Sequence, residues 1–250
     1  MADQLTILLF SHGIIQNYLL MSLKSIWFDF VDLIFPRCCA ACDKGLVGNE
    51  DIICTSCRIA LPRIEKESVH DEIIRHKFVG VHEVLETHAF LLFTKRGKVQ
   101  KLLHALKYKG QADVGILLGS MFGQEMISNS ILPEADLIIS VPLHKKKLKV
   151  RGYNQSDKLA EGFSKATDIP WSGGVLERIK YTETQTGKTR NERWENVKGV
   201  FSVKESVAGK RIIIMDDVLT TGATLEACME ALKSAGCDQF YILTIASAQH

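Results

Sequence analysis

The 250-residue sequence predicts an α/β fold, in which a parallel sheet flanked by helices follows a small cysteine-rich element. Two observations support this prediction. Apolar runs of strand length alternate with helical patterns through the second half of the chain, an order typical of parallel sheets with helices on both faces. Ahead of them, five of the seven cysteines fall between Cys38 and Cys57. The chain is long enough for one full core and a small appendage.

Apolar periodicity predicts the individual elements in chain order. In the first half we expect a helix ending before a proline, a linker, two strands and two helices: Ser22–Ile34, residues 63–76, Phe78–Phe93, a basic helix around Val99–Leu106, and Val114–Met126. In the second half we expect the strand Leu137–Val141, a helix over 154–166, weak strands at 175–176 and 200–203, a strand over 211–215, a helix over 223–235 and the strand Phe240–Ile245.

Composition is that of an ordinary globular protein, with 46% hydrophobic and 24% charged residues. The net charge of +2 excludes little, but the basic residues are clustered. Residues 95–109 hold six Lys or Arg and no acid, and residues 145–151 hold five and no acid. Such clusters suit anionic partners such as pyrophosphate or nucleic acid. The alternative is that these side chains only keep a helix or a loop solvated.

The N-terminal stretch Leu5–Leu20 is partly apolar but is interrupted by polar residues. It is too short and too polar to span a bilayer, and it lacks a basic leader and a clear cleavage site. We therefore expect no membrane insertion. Because Met21 opens a segment typical of a natural start, residues 1–20 are expected to be a non-native or flexible extension.

Residues 211–225 are the most informative part of the sequence. An apolar strand, Ile212 to Met215, is followed by two carboxylates, Asp216 and Asp217. A loop of hydroxyl-bearing and small residues then leads into an amphipathic helix: Thr220, Thr221, Gly222, Ala223 and Thr224. A loop between a buried strand and a helix N-terminus directs backbone N–H groups at one place, where the helix dipole also favours an anion.

This arrangement suits a sugar phosphate. Gly222 and Ala223 let a phosphate approach the backbone, the threonine hydroxyls can donate to it, and the acid pair can bind ribose hydroxyls. The alternative is an ordinary strand, turn and helix in which Asp and Thr only cap the helix. Capping requires one such residue, so two adjacent acids with three threonines favour the nucleotide-sugar interpretation.

The cysteines form two CxxC pairs, Cys39 with Cys42 and Cys54 with Cys57, and eleven residues separate the two pairs. Two such pairs can supply four thiolates in a closed tetrahedral site, the geometry of structural Zn²⁺. Cys38 complicates the assignment, and we choose Cys39 because only it gives the two-residue spacing. The alternative is a set of reduced core cysteines.

A second anion site is expected where the strand Leu137–Val141 ends. The backbone at Leu143 and His144, together with Arg151, can bind a leaving pyrophosphate, and parallel strands place both loops at one edge of the sheet. Asn154 can equally cap the following helix, and His144 can be a plain surface residue. The polar segment 180–199, with Arg190 and Arg193, is either disordered or a lid that orders over a substrate.

These blocks together resemble the ComF family of phosphoribosyltransferase-like proteins, and the resemblance extends over residues 22–247. The matching blocks are Phe35-Pro36, Leu106-Lys107-Tyr108 with Gly110, VPLH with RGYNQS at 141–156, Thr186–Asn196, and DDVLTTGAT at 216–224. The last block resembles the signature of type I phosphoribosyltransferases that binds phosphoribosyl pyrophosphate (PRPP). The doubled cysteine and the N-terminal extension depart from the family pattern.

The resemblance implies a helix and a four-cysteine, zinc-ribbon-like element over residues 21–62, and a type I phosphoribosyltransferase domain over residues 63–250. It further implies a cytoplasmic role in natural DNA uptake, with single-stranded DNA, a competence helicase and DNA-loading proteins as partners. The acceptor of the phosphoribosyl group is not implied.

Two alternative functions are therefore consistent with the sequence. In the first, the protein is an enzyme that displaces pyrophosphate from PRPP with Mg²⁺, using Asp216, Asp217, Arg151, Arg190 and Arg193. In the second, the same pocket senses PRPP or a nucleotide, while basic surfaces and the zinc element contact single-stranded DNA or a protein. A synthase coupled to glutamine hydrolysis is disfavoured, because the chain is too short for a glutaminase domain and no cysteine follows Met1.

Overall fold

A computed structural model describes residues 37–80, 84–180 and 199–248. The predicted helix Ser22–Ile34, the extension 1–20 and most of the polar segment 180–199 lie outside the described residues. The described residues divide into two compact units: Asp43–Cys54 with residues 37–39, and Ala40–Cys42 with the described residues from Thr55 onward. None of the helices in the described ranges has the length and apolarity required to cross a bilayer.

The larger unit is built on a five-stranded, all-parallel sheet. Its strands are β1 (Val84–Phe93), β2 (Leu137–Ser140), β3 (Trp171–Ser172), β6 (Arg211–Leu219) and β7 (Gln239–Ala248), in the spatial order β1-β7-β6-β2-β3. The strands β4 (Leu176–Arg178) and β5 (Phe201–Val203) form a separate antiparallel pair. The central strands are apolar because both faces of the sheet are covered.

Seven α-helices are present in the described ranges, with a single turn of 3₁₀ helix at His76–Phe78. They are α1 (Thr55–Ile59), α2 (Val69–Arg75), α3 (Lys98–Tyr108), α4 (Ala112–Ser128), α5 (Lys145–Arg151), α6 (Gln155–Thr167) and α7 (Ala223–Ser234). The expected parallel sheet flanked by helices is thus confirmed.

Successive side chains of β6 point to opposite faces of the sheet. Ile212 and Ile214 belong to the core that also contains Cys228, Met229 and Leu232 of α7. On the other side Phe122 of α4 stacks on Phe90 of β1, with ring centres 5.3 Å apart, and meets Phe163 of α6 edge-on at 5.7 Å. Alternation of strand side chains therefore builds two cores from one sheet.

Helices α4 and α6 approach closely enough that glycine is required at their contact. A methyl group on Gly162 would overlap the carbonyl of Ile116, and one on Gly119 would overlap the carbonyl of Leu159. Both obstacles are backbone atoms, which cannot rotate aside as a side chain can. Glycine thus sets the spacing between these helices.

Three local differences from the sequence expectations have identifiable causes. Residues 84–93 form one strand instead of two, because this stretch pairs along its length with β7. The expected linker at 63–76 contains α2, whose first turn is capped by the Ser68 hydroxyl accepting from the N–H of Asp71. The lysine-rich stretch expected as a loop is α5, which is short and has no buried residue to give an apolar period.

We predict that Gly162→Ala destabilises the protein despite the better helix propensity of alanine. Overpacking against a backbone carbonyl costs about 1–3 kcal/mol, which exceeds the gain of up to about 1 kcal/mol from propensity. Urea unfolding followed by circular dichroism measures the change. Ser120→Ala, on the partly exposed side of α4, is the control and should stay close to wild type. A Gly162→Ala protein as stable as the control would contradict the close helix contact.

Candidate functional site

The acid pair lies within the last part of β6, not after its end. The strand continues to Leu219, and Asp216 is in register with Thr244 of β7. The carboxylate of Asp216 accepts hydrogen bonds from the Ser156 hydroxyl at 2.9 Å and from the backbone N–H of Asp217 at 2.8 Å. The chain therefore holds Asp216 from two directions before any ligand binds.

Asp217 is buried and forms an ion pair with a lysine from a different part of the chain. Nζ of Lys107, in the last turn of α3, lies 2.6 Å from its Oδ2. Burial, and secondarily the negative charge of Asp217, raises the pKa of Asp216 to about 7. The site consequently favours a cation or a hydrogen-bond donor beside Asp216.

The phosphate-loop candidates lie directly beside the acids. Asp216 and residues Val218–Leu225 line one small cavity, which includes Thr220, Thr221, Gly222, Ala223 and Thr224. Gly222 has a φ of +88°, and a Cβ there would come within 2.8 Å of the Phe78 ring. Its backbone conformation turns the chain into α7, whose first N–H groups have no intrahelical partner. The geometry is that of an anion-binding helix N-terminus.

The second loop begins at the end of β2 and continues into α5. The ring of His144 caps α5, because its Nδ1 accepts a hydrogen bond from the N–H of Lys146 at 3.2 Å. This side chain therefore stabilises the start of the helix. Leu143, beside it, is partly buried. Arg151, the last residue of α5, donates to Oε1 of Gln155, and its guanidinium lies 5.6 Å from the ring centre of Tyr108.

A buried polar network ties the start of α6 to the end of β2. Asn154 caps the helix through Ser156, and its amide also donates to the Val141 carbonyl at 3.0 Å and to Asp157 at 2.7 Å. The Ser140 hydroxyl donates to the same Asp157 oxygen at 2.6 Å. These bonds place Ser156 against Asp216, so the capping role left open for Asn154 is the one the structure shows.

Four cations gather near the acid pair. Burial lowers the pKa of Lys147, and the charges of Arg178, Arg151 and Lys107 lower it further, in that order. Burial also lowers the pKa of Arg178, which lies against the Phe201 ring at 5.6 Å. Crowding of like charges favours binding of an anion between them.

Sequence reasoning does not single out several of these residues. It counts Lys107 only as part of a basic cluster and assigns no role to Ser156, Asp157 or Arg178. A partial signal is present nevertheless, because Lys107 and Ser156 fall inside two of the family-like blocks, LKY and RGYNQS. Arg190 and Arg193, in contrast, lie outside the described residues.

The N-terminal cysteines form a separate cluster. The sulfurs of Cys39, Cys42, Cys54 and Cys57 lie within 4.8 Å of one another, whereas exposed Cys38 is not part of the group. The backbone N–H of Cys54 points at the sulfur of Cys39, 3.3 Å away. Four such thiolates, with one hydrogen bond to a ligand atom, could hold a metal ion. Cys228 and Cys237 are buried, as expected for core cysteines.

Comparison with known proteins agrees with this fold. The family model "Phosphoribosyl transferase domain" matches residues 149–250, which include α6, β6, α7 and β7. "Competence protein F" of Haemophilus influenzae is 38% identical over 47% of this chain and 52% of its own length. "DNA utilization protein YhgH" of Salmonella typhi is 31% identical over 54% of this chain and 61% of its own.

A more distant relative matches over a greater length. "Competence protein ComFC" of Bacillus subtilis is 26% identical over 76% of this chain and 82% of its own length. The chain thus spans about half to three fifths of the first curated relatives that it matches. Together with the parallel sheet, these matches support a phosphoribosyltransferase-type protein of the ComF family.

Proposed function

We propose that the protein binds PRPP with Mg²⁺ and transfers its phosphoribosyl group to an acceptor, releasing pyrophosphate, as part of DNA uptake in the cytoplasm. The observation that carries the proposal is the position of the acid pair beside the loop 220–224 at the carboxyl edge of the sheet. The names of the competence and DNA-utilization relatives support the biological setting.

In this proposal each group of residues binds one part of PRPP. The loop Thr220–Thr224 holds the 5′-phosphate with its hydroxyls and backbone N–H groups. Asp216 and Asp217 accept from the ribose hydroxyls. The pyrophosphate lies against Arg151 and the backbone at Leu143 and His144, and Arg190 and Arg193, which belong to a segment outside the described residues, are assigned to the same group. Lys107 and Lys147 add positive charge on the same side.

The acid pair also fits Mg²⁺. Carboxylate oxygens are the protein ligands that this ion prefers, and it is commonly bound through one or two carboxylates plus substrate phosphates. The raised pKa of Asp216 is consistent with a site in which a cation is favoured. When bound, Mg²⁺ would offset negative charge on the pyrophosphate.

The protein's own contribution to transfer is positioning and charge stabilisation. The bond between C1 of the ribose and the pyrophosphate oxygen breaks as the acceptor attacks C1, and the leaving pyrophosphate carries away the bonding electrons. Arg151 and Lys147 stabilise that charge, while Asp216 and Asp217 fix the ring so that C1 faces the acceptor. Exclusion of water from the site would protect the electron-poor sugar from capture.

A binding module is the second candidate. Its support is the basic surface of α3, where Lys101 is exposed and Lys98 partly so, away from the acid pair. PRPP or a nucleotide would then regulate contacts with single-stranded DNA, a competence helicase or DNA-loading proteins. Release of pyrophosphate with a candidate acceptor, screened by mass spectrometry with PRPP and Mg²⁺, separates the two functions.

We also propose that the cysteine cluster holds one structural Zn²⁺. Four sulfurs bound to zinc at about 2.3 Å stand closer together than about 4 Å, a contraction that the observed spacing within 4.8 Å allows. A closed set of four thiolates leaves no position for a reacting water, so the metal would stabilise the fold without taking part in catalysis.

We predict one zinc per chain, measured by elemental analysis of purified protein. Cys42→Ser and Cys54→Ser should each lose the metal, because three thiolates bind it much less tightly. Cys38→Ser is the matched control and should retain it, since Cys38 lies outside the cluster. A wild-type protein that remains folded without metal would contradict the zinc proposal. Loss of zinc from Cys38→Ser would show that the ligands are assigned wrongly.

We predict that Asp216→Ala and Asp217→Ala each weaken PRPP binding about tenfold or more. Loss of a charged hydrogen-bond partner costs about 1.5–3 kcal/mol. Calorimetric titration in the presence of Mg²⁺ provides the measurement. Asp136→Ala, an acid beside Arg211 at the opposite edge of the sheet, should bind PRPP like wild type. Equal affinity in all four proteins would mean that the acid pair only supports the fold.

We predict that Lys98→Glu/Lys101→Glu weakens single-stranded DNA binding and flattens its salt dependence. The slope of log affinity against log salt should decrease by roughly 0.7 for each phosphate that the variant no longer neutralises. Fluorescence anisotropy at several salt concentrations measures the slope. Lys210→Glu/Lys233→Glu makes the same charge change on exposed residues elsewhere and should leave the slope unaltered. An unchanged slope in the first variant, or its loss of PRPP binding, would contradict a separate DNA surface.

A further inference from the structure

Tyr108 is an exposed aromatic residue at the rim of the site. It keeps 70% of its surface accessible, although its neighbours Lys107 and Leu106 are partly and fully buried. The fold does not use this ring for packing: α3 buries Leu102, Leu103 and Leu106 on its opposite side. The ring is therefore available to a ligand.

Two planar groups flank this ring. The imidazole of His104, one turn earlier on α3, has its centre 5.0 Å from the Tyr108 ring, tilted by 46°. The guanidinium of Arg151 lies 5.6 Å from the ring centre. Lys101, His104 and Tyr108 recur at positions i, i+3 and i+7, so they share one exposed face of the helix.

The same rim is rich in positive charge. Lys107 pairs with Asp217, and the charges of Arg178, Arg151 and Lys107 all act on Lys147, so these four side chains lie near one another. A single exposed aromatic residue on a protein surface is ordinary. An aromatic face beside several converging cations is different, because it offers stacking and phosphate binding at one place.

We propose that Tyr108, flanked by His104 and Arg151, is a stacking platform for an unpaired nucleobase whose phosphate lies against the neighbouring cations. Aromatic rings and the arginine guanidinium both bind the flat face of a base, and they do so with little dependence on its identity. Tyr108 directly follows Lys107, whose Nζ pairs with Asp217, so the platform lies at the end of α3 that reaches the acid pair.

The base can belong to a free nucleotide or to a single strand of nucleic acid. Both sources present the same chemistry to Tyr108. A strand would continue along the exposed face toward His104 and Lys101, whereas a mononucleotide would need only the ring and the adjacent cations. The proposal does not depend on PRPP binding, and the two sources are separated by experiment.

The test uses the full chain and 2-aminopurine, a fluorescent base whose emission is quenched by stacking. Two probes are titrated: an oligodeoxythymidylate with one 2-aminopurine, and the mononucleotide 2-aminopurine riboside 5′-phosphate. We expect Tyr108→Leu to lower affinity about fivefold to a hundredfold and to abolish the quenching. Tyr108→Phe should keep both, because it retains the ring. Val150→Ala, a change at an exposed apolar residue of the neighbouring helix, is the surface control.

A strand that is abasic at every position gives the sharpest comparison. Wild type and Tyr108→Leu should bind this strand equally, because it has no base to stack. If the affinity for both probes depends on Tyr108, the platform is supported and a single nucleotide is a sufficient ligand. If only the affinity for the strand depends on Tyr108, the platform is supported and its ligand is a nucleic acid. The proposal is overturned if a Tyr108→Leu protein with a wild-type melting temperature binds both probes with wild-type affinity. It is also overturned if Tyr108→Phe loses as much affinity for the probes as Tyr108→Leu does. Failure of wild type to bind PRPP would contradict the proposed function alone.

Discussion

Parallel pairing of β2 with β6 is the constraint on which the site depends. Ser140 pairs with Met215, and the N–H of Val141 donates to the Met215 carbonyl at 3.0 Å, so both strands reach the same edge of the sheet together. Residues that follow β2 and residues at the end of β6 therefore meet, although about 75 positions separate them along the chain. A one-residue slip would turn the acids to the other face.

The polar network around Asn154 converts this alignment into a defined site. By joining Val141, Asp157 and Ser156, the network fixes the N-terminus of α6 to the end of β2. Burial raises the pKa of Asp157, while the hydrogen bonds from Ser140 and Asn154 favour its charged form. The helix then presents the Ser156 hydroxyl to Asp216. One buried amide thus links the sheet, a helix and an acid of the proposed PRPP site.

Charged groups around the acids have perturbed pKa values. Asp216 has a raised pKa because it is buried beside another carboxyl, and Lys147 has a lowered pKa because it is partly buried beside other cations. Groups of both signs are therefore held in environments that disfavour their charge. Such perturbed groups cluster at functional sites, where a bound ligand supplies the missing countercharge.

Local sequence determined the elements whose signals are periodic or chemically distinctive. The apolar strand, the paired acids and the Thr-Gly loop of residues 211–225 predicted an anion site, and two CxxC pairs predicted the cysteine cluster, since spacing alone brings such ligands together. The basic helix and the paired weak strands were also predictable. The sequence could not show α5, because this helix buries no residue and so leaves no apolar period.

Only the tertiary structure decided which distant residues meet. Lys107 looked like one of six basic side chains on a surface, yet it reaches Asp217 because α3 ends at the carboxyl edge of the sheet. Glycine is unfavourable inside a helix, yet Gly119 and Gly162 permit the contact that positions α6. Tyr108 and Arg151 come together in the same way. Periodicity and spacing describe neighbours within an element, whereas contacts between elements depend on strand order and helix packing, which no local pattern records.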